Sequence, residues 1–283
     1  MRREIENRIL IRNRHQISNF KEETVPEALL NVKTLWDTIT GLSVDELKDR
    51  LPNQLILNSR VGTLESGTIY YRARIMGVKN WQNAGHWGTS QFWETPQSLV
   101  KHWGRLNRPN ESVFYLSSDI LQTFKEIRYQ TEANKDYAVV VNSYKVVKPI
   151  HATQIGYYDK SVSVANIYSK MVNDIFSLPS ERYGEGVYKL SNYLSNFYNF
   201  VPDNAAAFLF TPVLDPIDNV FNLAIEPSDA HKYFNYNGSI IIPSYKDSID
   251  GNISVEWANN ADFNRLYPAE NLKWIYENFK IKF

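Results

Sequence analysis

The order of apolar and polar positions changes character near residue 60. Before that point, Pro26 opens a stretch with Leu29, Val32, Leu35 and Ile39 at helical spacing. Ser43-Val44-Asp45-Glu46 has the form of a capping box for a second helix reaching about Leu51. Residues 1–60 together predict a polar, helical N-terminal extension. From about residue 66 the period shortens: Thr68–Ile75 and Ser112–Leu116 alternate like strands, and Tyr137–Val147 is rich in Val and Tyr. A helix is expected from about Ser118 through Glu126. Val164, Ile167, Tyr168, Met171, Val172, Ile175 and Phe176 form one apolar helical face, and Leu190, Tyr193, Leu194 and Phe197 a second. Strands return at Asn219–Ile225, Ser239–Ile242 and Asn252–Trp257. Strands and helices mixed without regular βαβ alternation predict an α+β fold, divided into 1–60 and 61–283. One echo stands out. Pro212 to Asp218 followed by Asn222–Ile225 recurs as Pro243 to Asp250 followed by Asn252–Val255, as two strand–turn–strand units would.

Composition narrows the class. Of 283 residues, 43% are hydrophobic and 22% charged, an ordinary globular balance. Lys plus Arg and Asp plus Glu are each 31, so the net charge is zero and a general polyanion binder is excluded. The early basic residues, Arg2, Arg3, Arg8, Arg12, Arg14 and Lys21, read as a solvated helix face rather than a nucleic-acid arm. The absence of cysteine removes thiol nucleophiles, thiolate metal sites and disulfides. Apolar runs such as Ala205–Phe210 fall far short of the about 18 residues of a membrane span. The charged N-terminus leads into no apolar core, so no secretory signal is expected and the expected location is the cytoplasm.

The familiar chemical signatures are missing. There is no phosphate loop, no G-x-G-x-x-G and no G-x-S-x-G elbow. The five histidines never fall at i, i+4 spacing, so no metal site is expected. What remains is concentrated between residues 69 and 128. A strand carries Tyr71-Arg72-Ala73-Arg74, a loop carries Gly104-Arg105-Leu106-Asn107, a second strand carries Tyr115, and the helix after it reaches Glu126. Arginine is the side chain best shaped to grip a phosphate with two parallel hydrogen bonds. Two of them leaving neighbouring segments suit a pyrophosphate, or else serve as surface or ion-pair residues. Tyr115 suits either core packing or stacking on a flat heterocycle. Ile120, Leu121, Phe124 and Ile127 define the apolar face of the helix, which turns Glu126 nearly the opposite way, toward solvent unless that side lines a cleft.

Arg-x-Arg on a strand, Gly-Arg-x-Asn, Phe114-Tyr115-Leu116-Ser117 and a helix reaching Glu126, in that order, resemble the RES domain family, named for its Arg, Glu and Ser. The resemblance spans about residues 66–260 and is closest between Tyr71 and Glu126. It implies an ADP-ribosyltransferase-like mixed β-core with surrounding helices, and toxins that consume NAD⁺ by hydrolysis or phosphorolysis. It implies Arg72 (with Arg74 as the rival) and Arg105 on the pyrophosphate, Tyr115 against the nicotinamide or its ribose, and Glu126 as the catalytic carboxylate. The family's serine falls on Ser244, in Ile242-Pro243-Ser244-Tyr245, or its role passes to Thr211, before the better-matching strand Asn222-Leu223-Ala224-Ile225. NAD⁺ is then substrate rather than cofactor, and no metal is implied. A protein antitoxin or inhibitor is implied as partner, with masking of the cleft by residues 1–60 as the other way to restrain the activity. ADP-ribose transfer to a macromolecule and a non-catalytic ligand-binding module are the competing expectations; neither a nucleic-acid nor a membrane partner is expected.

Overall fold

The protein is described by a computed structural model covering residues 5–12, 23–38, 43, 45–46, 54–77, 89–127, 137–196, 198, 205–212, 220–243, 257–260, 266–267 and 279. In chain order its elements are β1 (Ile5–Arg12), α1 (Val25–Thr38), β2 (Gln54–Leu64), β3 (Ile69–Gly77), β4 (Phe114–Ser117), α2 (Ile120–Glu126), β5 (Tyr137–Val146), β6 (Ile150–Gln154), α3 (Val164–Phe176), α4 (Ser180–Tyr183), α5 (Gly186–Ser195), β7 (Ala207–Phe210), β8 (Asn222–Ile225), α6 (Pro227–Tyr233), β9 (Phe234–Pro243), β10 (Trp257–Asn260) and β11 (Leu266–Tyr267). The fold is mixed α+β, as the pattern predicts. No helix among the described residues is long and apolar enough to cross a membrane.

The chain forms two compact units, each assembled from separate segments. Met1–Thr63, Pro96–Val113 and Ile150–Val213 make the first; Leu64–Thr95, Phe114–Pro149 and Leu214–Phe283 make the second.

The first unit carries the strand order β1-β2-β6-β7, with β1 antiparallel to β2 and β6 parallel to β7. Its principal helix, α3, has the expected bounds. Ser163 caps it by accepting from the Asn166 N–H at 3.2 Å, and Tyr168, Met171, Val172, Ile175 and Phe176 are buried along one stripe. Gly156 makes the close packing possible. Its φ is +65°, and a Cβ placed there would stand 2.6 Å from the backbone N of Asn173 on α3. The helical expectation for residues 1–60 needs correction. α1 is where periodicity puts it, and Ser43 and Glu46 exchange both hydrogen bonds of the capping box, at 2.8 and 3.2 Å. Residues 5–12 and 54–64, however, are strands. Leu57, Ser59 and Val61 are buried alternately, a period of two that a helix does not produce.

The second unit is built on the strand order β8-β4-β3-β5-β9-β10-β11, antiparallel at every pairing. The register fixes which side chains share a face. Tyr71 lies opposite Ser143 and Ser117, and Ser117 opposite Asn222; Arg72 lies opposite Asn142, and Tyr70 opposite Tyr144. One face holds Tyr71, Val139, Val141, Ile240 and Phe279, with Ala73 and the α2 residues Ile120 and Phe124 packed against them. The alternation of strand side chains sends Arg72, Arg74, Asn142 and Tyr144 to the other face. The second copy of the predicted echo and most of the turn in the first lie outside the described residues.

Candidate functional site

Glu126 sits in the last turn of α2. Asp119 caps this short helix, accepting from the Gln122 N–H at 2.9 Å. The buried positions of α2 are Gln122 and Thr123, while Leu121 is 55% exposed. Ile120, Phe124 and Ile127 pack on the sheet as the periodicity predicts, but the flank bearing Gln122 and Thr123 is buried as well, so Glu126 does not point to open solvent. It is half-buried, and its Oε1 accepts from Gln122 Nε2 at 3.3 Å and from Asn222 Nδ2 at 3.1 Å. Gln122 lies one turn before it, so the two meet as an i, i+4 pair. Asn222 is the first residue of β8, is 8% exposed, and comes from 96 residues further along the chain. Both residues were missed by the sequence. The amide four residues before Glu126 was visible as a helical pair, whereas the β8 contact had no local signal.

Tyr115, two residues before Ser117 on β4, lies opposite Ala224 and shares the α2 face. Tyr71 on the same face donates its hydroxyl to the Phe279 carbonyl at 3.1 Å. Burial, and after it the charge of Asp119, pushes the Tyr71 hydroxyl up to about 12. Glu126, Gln122 and Asn222 thus form a polar group at one side of this sheet, on the face that Tyr115 shares.

The arginines of β3 do not join it. They grip the segment 91–95 on the opposite face. Arg72 donates to the Trp93 carbonyl and, at 3.4 Å, to Thr95 Oγ1; Arg74 donates to the same Trp93 carbonyl and, at 2.8 Å, to that of Gln91. The carbonyl between them, of Phe92, accepts from the Tyr144 hydroxyl and from Asn142 Nδ2 at 3.3 Å. Three successive main-chain oxygens are thereby held by four side chains of β3 and β5. Phe92 is 2% exposed, with its ring 5.1 Å from that of Tyr236, and the Trp93 ring lies tilted 4.2 Å from the His231 ring, whose Nε2 is 3.1 Å from Glu94. Burial, then the neighbouring Arg74, lowers Arg72 to about 10, so it stays charged at neutral pH; burial lowers Arg74 as well. The expected convergence of Arg72, or of its rival Arg74, with Glu126 is corrected accordingly. The physical reason is strand alternation: Tyr71, under α2, and Arg72, under the 91–95 segment, are successive residues and point to opposite faces.

Arg105 belongs to the first unit, where it is 9% exposed, donates to the Leu178 carbonyl at 2.7 Å and lies 5.3 Å over the Tyr188 ring. Its loop is tied to α5, since Ser191 Oγ donates to the Arg105 carbonyl at 2.9 Å and Asn192 Nδ2 to that of Gly104 at 2.6 Å. Thr211, also of the first unit, donates to Asn173 Oδ1 at 2.8 Å, beside the Gly156 contact. Ser244 lies outside the described residues. Among the described residues no group of three or more His, Asp or Glu is placed to hold a metal ion. Compared with family models, curated proteins and solved structures, the chain finds no match.

Proposed function

We propose that this protein cleaves the nicotinamide–ribose bond of NAD⁺ by hydrolysis or phosphorolysis, with Glu126 as the catalytic carboxylate. The observation that carries the proposal is the Glu126 carboxylate held by two amide donors on the face that also bears Tyr115. Cleaving an N-glycosidic bond of this kind builds positive charge on the ribose, and a fixed carboxylate stabilises that charge where it develops. The bond electrons leave with nicotinamide, which departs as a neutral base, and water or phosphate supplies the new bond to the sugar carbon. Tyr115 offers its ring to the nicotinamide or its ribose. The likeness of Tyr71–Glu126 to the RES domain supplies the substrate, and with it the proposal that the core is ADP-ribosyltransferase-like. Restraint by a protein antitoxin belongs to the same proposal. In this scheme Arg72 and Arg74 do not hold the substrate's pyrophosphate beside Glu126, because they face away from it.

That placement favours one second function, a ligand-binding module without catalysis. Nicotinamide release from NAD⁺ by the purified chain separates the two. Release that depends on Glu126 supports the enzyme, and retained NAD⁺ binding without release supports the module. A mass increment on a macromolecule would instead point to ADP-ribose transfer.

A further inference from the structure

Only Ser118 and Asp119 join β4 to α2, and each reaches toward one of the two amides that hold Glu126. Asp119 does so along the helix. By accepting from the Gln122 N–H at 2.9 Å it fixes the first turn, from which the Gln122 side chain reaches Glu126. Ser118 does so across the sheet. The β4–β8 ladder ends with Ser117 opposite Asn222, so Ser118 and Phe221 are the next pair. In an antiparallel ladder alternate pairs exchange two main-chain hydrogen bonds. Ser118 makes the first, its N–H donating to the Phe221 carbonyl at 3.0 Å. The second is made by a side chain: the Phe221 N–H donates to Ser118 Oγ at 3.1 Å. The hydroxyl thus stands in for a main-chain carbonyl where the chain bends out of the sheet toward α2. Both peptide planes that flank Phe221 are held by this one residue, and Asn222 is next in the chain. The links close on themselves. From Glu126 they run through Gln122 to Asp119, along the chain to Ser118, across to Phe221, along the chain to Asn222, and back to the same Oε1.

We propose that Ser118 is a positioning residue, whose hydroxyl fixes Phe221 and, through it, the Asn222 amide against the Glu126 carboxylate. The proposal rests on the reading of Glu126 as the catalytic group and deepens it. Alanine at 118 would keep the main-chain bond to the Phe221 carbonyl but remove the acceptor of the half-buried Phe221 N–H. The start of β8 would then be free to shift, carrying the Asn222 donor with it. A carboxylate that must meet charge as it develops on a sugar is sensitive to such a shift, since a misplacement of about 1 Å can cost about a hundredfold in rate.

Kinetics and NMR on full-length variants test it. Ser118→Ala is expected to lower kcat for nicotinamide release about tenfold with KM nearly unchanged, because one restraint of several is lost. Ser118→Thr, which returns a hydroxyl to the same Cβ, should restore it. In an Asn222→Ala background Ser118→Ala should have no further effect, as expected of residues acting in series. Apart from catalysis, the Asn222 side-chain amide resonances should shift and the Phe221 N–H should exchange faster in Ser118→Ala, with both returning to wild-type values in Ser118→Thr. Should Ser118→Ala fail to fold, Ser118→Cys, close in shape but a weak acceptor, takes its place with the same expectations. Unshifted Asn222 resonances, a threonine variant that behaves like alanine, or losses that add to those of Asn222→Ala overturn the proposal. If wild-type protein releases no nicotinamide, it is the enzyme reading that fails, and the Asn222 resonances alone decide whether Ser118 positions that amide.

Discussion

Arg72 and Glu126 lie on opposite faces of one antiparallel sheet, Arg72 opposite Asn142 with the 91–95 segment, and Glu126 on α2 above Tyr71 and beside Asn222. The consequence is functional independence. Arg72→Gln is expected to leave the rate of nicotinamide release by folded protein within about threefold, whereas Glu126→Gln lowers it about a hundredfold or more. Steady-state kinetics on both variants check this, and equal losses would refute the separation.

In the proposed reaction Asn222 acts through Glu126, to which it donates at 3.1 Å. Replacing it with alanine removes a buried donor from the carboxylate and is expected to cost about 1–2 kcal/mol of stability, measured by urea unfolding. It should also lower kcat, yet have little further effect once Glu126→Gln is in place, because groups acting as a unit are non-additive. Additive losses in the double variant would mean that Asn222 has a separate role.

The 91–95 segment is held by one buried ring as well as by its carbonyls. Phe92→Ala is expected to destabilise the protein by about 3–5 kcal/mol and to raise amide exchange locally at residues 91–95. Loss of stability without that local rise would mean that Phe92 does not anchor the segment.

Gly156→Ala carries two penalties, a left-handed backbone at φ +65° and a methyl 2.6 Å from the Asn173 backbone. The strain alone is on the order of 1–3 kcal/mol, and the contact adds to it because the neighbour is main chain. A urea midpoint within error of wild type would contradict the packing of α3 on this turn.

Alkaline stability follows from the buried tyrosines. Burial pushes the hydroxyls of Tyr71 and Tyr144 up to about 12, and raises Tyr168, Tyr198 and Tyr236 further still. Their folded values exceed the ordinary 10, so the unfolded chain loses these protons first. Their stabilising contribution is complete below pH 10 and falls away between about pH 10 and 12. The lowered Arg72 and Arg74 act with the opposite sign over the alkaline range, and the tyrosines outnumber them. The urea midpoint should therefore drop steeply between pH 10 and 12, and Tyr144→Phe should make the drop shallower.

How far the sequence carried these features depended on whether a local period encoded them. α3 has the expected bounds because Tyr168, Met171, Val172, Ile175 and Phe176 repeat at the helical period, and β3 and β5 because their residues alternate or are β-rich. α2 lies where expected and packs through Ile120, Phe124 and Ile127 as the periodicity predicts, whereas the burial of its second flank at Gln122 and Thr123 has no such signal, because hydrophobic periodicity does not register buried amides. The strands at 5–12 and 54–64 carry short apolar runs, Ile9-Leu10-Ile11 and Leu55-Ile56-Leu57, without strict alternation, and they pair with each other across more than 40 residues of chain. The opposite facing of Tyr71 and Arg72 follows from alternation once a strand is accepted. Which face α2 covers does not, because that is settled by the Tyr71–Ser117 and Ser117–Asn222 register between distant segments. Nothing local announces that Arg72 and Arg74 would close on their own chain at Trp93.

In the proposed reaction a carboxylate, oriented by Gln122 and Asn222, drives loss of nicotinamide from NAD⁺. Nicotinamide release by the purified chain, followed with and without phosphate and alongside Glu126→Gln, tests it most directly. Wild-type turnover is expected to fall about a hundredfold or more in the variant while NAD⁺ binding persists. Absence of release at high protein concentration, or release by Glu126→Gln at the wild-type rate, would contradict it.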